Sequence, residues 1–74
     1  MIMYDYSKLR GRIIEKYGTL SNFAKVALTR VSRVSELLNN KANFQQEEIS
    51  RWAMLLDIRP EQIGDYFFVF ILSK

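Results

Sequence analysis

The residues of this chain that could do chemistry lie between positions 19 and 41, TLSNFAKVALTRVSRVSELLNNK. They read as two short helices joined by a tight corner. The second helix carries Arg30, Ser32, Arg33, Ser35 and Glu36 over much of its surface and ends in Asn39, Asn40 and Lys41. Hydroxyls, guanidinium groups and a carboxylate on one exposed helix can exchange hydrogen bonds with base edges and phosphates in a DNA major groove. Phosphate contacts ask for less, only charge and donors. Ser21 and Asn22 open the first helix, where free backbone N–H groups attract anions. Lys25 points outward from that helix, and Arg30 is a further cation at the start of the next. Asn39, Asn40 and Lys41 leave the second helix close to a DNA backbone. Asn39 and Asn40 also have a plainer reading as a helix stop, because Asn tolerates a left-handed backbone.

Little else here supports catalysis. The 74 residues include neither Cys nor His, so there is no thiolate, no disulfide and no imidazole base or ligand. A chain this short has little room for a substrate pocket. Neither catalytic residues nor a metal site, cofactor or small-molecule substrate is expected. The stretch Gln45 to Glu48 reads as a capped, dipole-matched helix start rather than a metal site. The opening MIMYDYSKLR lacks the charged region and long apolar run of a signal peptide, and the apolar run at 66–72 is too short to span a bilayer. The expected location is the cytoplasm, with no membrane partner.

Charge is uneven. Between positions 8 and 41 eight basic residues face only Glu15 and Glu36, a balance of +6, whereas 42–74 carries −2. One half is built for a polyanion and the other is not. Lys8, Arg10 and Arg12 extend the basic half and add long-range attraction.

Five helices must position these groups. Tyr6, Leu9, Ile13 and Tyr17 recur at helical spacing and predict a first helix over 7–17, with Ser7 as N-cap and Gly18 just past its end. A second helix starts near Leu20 after a Thr19 cap, with Leu20, Phe23, Ala24 and Ala27 inside. A third runs over 30–38 on the core edge Val34, Leu37 and Leu38. A fourth, over 45–56 and capped by Asn43, buries Ile49, Trp52, Ala53 and Leu56. Pro60 opens a short fifth helix around Ile63, which Gly64 and Asp65 end. Tyr4 and Tyr6 read as packing residues. Residues 66–72 are aromatic and β-branched, so propensity favours a strand over a helix.

With Ser21-Asn22-Phe23-Ala24-Lys25, Val34, Leu38-Asn39-Asn40-Lys41 and Ile58-Arg59-Pro60-Glu61-Gln62-Ile63 in this plan, the chain resembles the helix-turn-helix domains of phage repressors and Cro-like proteins, the Xre-type family. The resemblance implies an all-α, five-helix, lambda-repressor-like domain, here with a short C-terminal β-strand as a further option. It implies a phage-encoded regulator of transcription in a bacterial host, bound to double-stranded DNA as a homodimer. Matched to the family's reading positions are Val31, Ser32 and Glu36, with Arg33 beside them as a guanine or phosphate ligand. Val31 is equally readable as core. The corner departs from the family: Leu28, Thr29 and Arg30 stand where Gly, an aliphatic residue and a Ser or Thr cap are usual. Thr29 is then an alternative cap for the third helix. Leu20 replaces the usual Gln. These departures support an alternative, an antirepressor-like module that keeps the fold and binds a repressor or another protein through the apolar C-terminal tail. The tail supplies the expected dimer interface, Phe68, Val69, Phe70, Ile71 and Leu72, unless it covers its own domain instead.

Overall fold

The computed structural model describes residues 3–71. Its order is α1 (Ser7–Tyr17), α2 (Leu20–Val26), α3 (Val31–Leu38), α4 (Gln46–Leu55), one 3-10 turn (Pro60–Gln62) and α5 (Ile63–Phe67). The fold is all-α, as the helical periodicity predicts.

Local chemistry sets most boundaries. Ser7 is the first helical residue of α1 rather than its cap. The cap position is Tyr6, with no side-chain cap bond of its own, and the Asp5 carboxylate one residue earlier accepts from the Ser7 N–H at 2.9 Å and from its hydroxyl at 2.7 Å. A carboxylate suits this place because it meets the positive end of the helix dipole. Thr19 caps α2 as expected, its Oγ1 accepting from the Asn22 N–H at 3.0 Å. At α3 the cap position is Arg30, with no side-chain acceptor, so Thr29 does not cap and the helix starts one residue later than expected. At α4 the cap is Gln45, not Asn43: the Glu48 carboxylate reaches back to the Gln45 N–H at 2.9 Å.

Three helices end alike. After α2, Leu28 N–H bonds Lys25 O and Thr29 N–H bonds Ala24 O. After α3, Asn40 and Lys41 repeat the pattern on Leu37 and Glu36; after α4, Asp57 and Ile58 repeat it on Met54 and Ala53. Each is a Schellman closure, which needs a left-handed residue. Those residues are Leu28 (φ 58°), Asn40 (φ 60°) and Asp57 (φ 54°). Asn and Asp accept this conformation with local polar contacts. Leucine does not, and its placement there costs about 1–2 kcal/mol.

The helices close over one core. Leu9 and Ile13 of α1, Phe23 of α2, Val34 and Leu37 of α3, and Leu56 are fully buried. Trp52 sits at the centre, edge-to-face against Phe23 (4.9 Å between ring centroids) and Phe44 (4.8 Å), and Phe44 meets Phe67 at 5.2 Å. Each such pair adds about 0.5–1.5 kcal/mol beyond its buried area. Val31 is half exposed and not part of this core.

The C-terminal segment departs from expectation. Gly64 and Asp65 do not end α5, which continues through Tyr66 and Phe67. Both aromatic side chains are buried, and that burial outweighs the strand propensity of the run. Beyond α5 the chain makes a single antiparallel bridge between Tyr4 and Phe70, with Asp5 N–H on Val69 O (2.7 Å) and Ile71 N–H on Met3 O (3.0 Å). The expected strand over 66–72 is therefore reduced to this bridge. Leu72 lies outside the described residues.

Candidate recognition surface

The surface expected to carry function is the outer side of α2, the corner and α3. Val31, Ser32 and Glu36 are all exposed on α3. Ser21, Asn22 and Lys25 are exposed on α2, as are Arg30, Asn39 and Lys41 around α3.

Arg33 differs from what its position predicts. Its Nε and Nη2 donate to both oxygens of Glu48 at 3.0 and 2.9 Å, and Nη2 also donates to Asn43 O at 3.3 Å. The fork is half-buried, and Glu48 is more buried than Arg33, with side-chain exposures of 17% and 29%. Hydrogen bonding from Arg33 holds the Glu48 carboxyl below the usual carboxylate range, and Glu48 in turn raises the Arg33 guanidinium. A base-reading arginine must offer its fork to guanine. Here both arms of that fork are held by Glu48 of α4.

Asn40 is also engaged. Its Oδ1 accepts from the Tyr4 N–H at 2.9 Å and its Nδ2 donates to Tyr4 O at 2.8 Å. The amide clips the N-terminal segment to the end of α3 and is not a free phosphate donor. Asn22 offers less than expected too: its N–H goes to Thr19 and its Nδ2 to Tyr17 O at 3.0 Å. Asn39 exchanges side-chain bonds with Ser35 (3.2 Å) and Arg10 (3.5 Å).

The basic half is partly neutralised. Arg12 donates to Leu56 O at 2.8 Å, closing the end of α4, and pairs with Glu15 at 3.1 Å. Lys16 pairs with Asp57, holding that carboxyl below its ordinary range. Lys8 lies 4.7 Å over the Tyr66 ring. Lys25, Arg30 and Lys41 remain as exposed cations. Between them the corner shows apolar carbon: Leu28 is 81% exposed, Val26 44% and Val31 45%. Arg51 of α4 reaches this corner, its Nη1 donating to Ala27 O at 3.4 Å.

Sequence reasoning missed the Arg33–Glu48 pair. The two residues are separated by 15 positions, and only the capping role of Glu48 was visible locally. It also missed an open cleft of about 460 Å³ beside the end of α3, walled by Tyr4, Tyr6, Phe44 and Phe68 with Lys41 at its edge. Among the described residues no group of three or more His, Cys, Asp or Glu could hold a metal ion, and no helix is long and apolar enough to cross a membrane.

The family model described as "Protein of unknown function (DUF739)" matches residues 2–69. The chain belongs to the DUF739 family. No curated protein matches the chain. Among solved structures, this DUF739 chain is similar to the solution structure of the modulator of repression (MOR) of the temperate bacteriophage TP901-1 from Lactococcus lactis. The two are 42% identical, with 88% of each chain covered and a TM-score of 0.77. The solved structure thus shares with the DUF739 chain most of its length, not only the α2–α3 unit.

Proposed function

We propose that this chain is a phage regulator that modulates repression by docking on a protein, the repressor, through the outer face of α2, the corner and α3. The similar solved protein is itself called a modulator of repression, which supports the class of function. The observation that carries the choice of a protein over DNA is the Arg33–Glu48 fork. A groove reader leaves its best hydrogen-bonding cation free. This chain neutralises it, fastens Asn40 to Tyr4 and exposes leucine and valine carbon instead. Such a face loses little by leaving water against another apolar surface and gains little from base edges. The reading also gives the protein a place in the cytoplasm of a bacterial host.

Direct binding to duplex DNA is the second reading, favoured by exposed Lys25, Arg30 and Lys41. A homodimer belongs with it. Phe68, Val69, Phe70 and Ile71 are 39–56% exposed. The bridge uses the hydrogen bonds flanking Phe70, so its own N–H and C=O face the other edge, where a second copy could pair.

Titration of the purified chain with the repressor of its own genome, and with random duplex DNA, over a range of salt decides between these readings. Docking on a protein through an apolar centre gives a complex whose affinity falls only modestly with salt, by the screening of its rim charges. DNA binding gives affinity that falls steeply, with a slope near −0.9 per phosphate neutralised. A chain that shifts DNA with that slope and ignores the repressor overturns the proposal.

A further inference from the structure

We infer that Leu28 is the anchor of the protein contact, entering an apolar pocket on the partner whose rim carries carboxylates. This rests on the docking reading above and names its central residue and the chemistry of its target.

Three helices of this chain end in the same closure. Two are made by residues that suit a left-handed backbone and have side-chain work to do: Asn40 clips Tyr4, and Asp57 pairs with Lys16. The third is made by leucine, which is poorly suited to φ 58° and is 81% exposed. It therefore strains the backbone without gaining burial inside this molecule. Glycine would close the same helix with no such conflict. A leucine that brings neither local ease nor internal packing is explained if its side chain is buried elsewhere.

The surroundings indicate the kind of surface that takes it. Val26 and Val31 flank the corner in sequence and are half exposed, enlarging the apolar centre. Lys25, Arg30 and Arg51 are exposed around it, and Arg51 is held there by Ala27 O. An apolar knob ringed by cations complements a pocket ringed by carboxylates. The phosphates of duplex DNA would satisfy the ring, but DNA has no apolar pocket of that depth.

The test uses the full chain with Leu28→Gly and Leu28→Asn. Relief of the left-handed strain should raise the thermal midpoint of Leu28→Gly by about 2–6 °C, after allowing for the greater freedom of glycine in the unfolded chain. The same variant should bind the repressor of its own genome at least about tenfold more weakly. Leu28→Asn, which also tolerates the backbone, should lose affinity likewise. Lys25→Glu with Arg30→Glu should weaken the complex most at low salt. A chain made more stable and less able to bind identifies Leu28 as an anchor, since a purely structural leucine would lower both. Wild-type binding with unchanged affinity in Leu28→Gly overturns this inference alone. Failure of the wild-type chain to bind the repressor removes the docking reading and the inference together. Weakened binding of the glycine variant to duplex DNA would make DNA the occupant and overturn the inference.

Discussion

At the scale of single residues, the Arg33–Glu48 fork has a measurable consequence for both stability and charge. Glu48→Gln should lower stability by about 1–2 kcal/mol, a modest loss because the pair is only partly buried. It should also release Arg33, raising weak non-specific affinity for duplex DNA and steepening the salt slope by about one. Mobility shifts at two salt concentrations measure this, and an unchanged slope would mean that the fork never restrained DNA binding. The pH dependence has a definite sign. The Glu48 carboxyl is depressed chiefly by the Arg33 hydrogen bond, so its contribution is present above the unfolded carboxylate range and lost as pH falls through the lower folded value. Urea midpoints should therefore decline on the acid side, and Glu48→Gln should flatten that decline. Trp52 belongs to the same scale. It is 1% exposed between Phe23 and Phe44, and Trp52→Ala should cost about 3–5 kcal/mol, enough to unfold much of so small a domain. An unchanged melting curve would contradict the packing described here.

At the scale of elements, the two ends of the chain depend on each other and on α3. The Tyr4–Phe70 bridge joins them, rings stacked at 5.3 Å, and Asn40 holds the other side of Tyr4. Asn40→Ala removes both amide bonds and leaves alanine at φ 60°, and we expect a loss of about 2–3 kcal/mol by thermal melting. Phe70→Lys tests the free edge. Phe70 is 56% exposed, so the fold should survive. If copies pair along this edge, sedimentation at rising concentration should show the wild-type chain associating and the variant monomeric, since a lysine blocks edge pairing. Identical sedimentation of the two would remove the tail as a dimer interface.

At the scale of the whole molecule, charge and apolar surface are divided between two regions. The net charge of +3 conceals a basic half, but Lys16 and Arg33 are paired with Asp57 and Glu48, carboxylates from outside residues 8–41. The long-range field is thus weaker than the +6 balance implies, and fewer phosphates can be neutralised. Most of the exposed large apolar residues lie at the corner (Val26, Leu28, Val31) and in the tail (Phe68, Val69, Phe70, Ile71), the others being Met3, Ile14 and Met54. Two separate apolar surfaces on one small domain allow two simultaneous contacts. If the corner docks on a repressor as proposed, mass measurement of that complex should show self-association through the tail persisting.

The sequence by itself determined the helical plan. Apolar spacing marked α1, α2 and α4 and the buried Trp52, and Thr19 and Gly18 set boundaries because capping and left-handed closure depend on nearby residues. Ser32 and Glu36 lie off the apolar spacing of α3 and are exposed, whereas Val31, three residues before Val34, read equally as core and its exposure was decided by the fold. Tertiary structure decided what those groups are free to do. Glu48 meets Arg33 across 15 positions and Asn40 meets Tyr4 across 36, so neither pairing has a local signal. Tyr66 and Phe67 have strand propensity, yet they complete a helix because the core at α1 and Phe44 buries them there. Local chemistry is written in neighbours along the chain. Which donors remain available to a partner depends on contacts that only the folded chain creates.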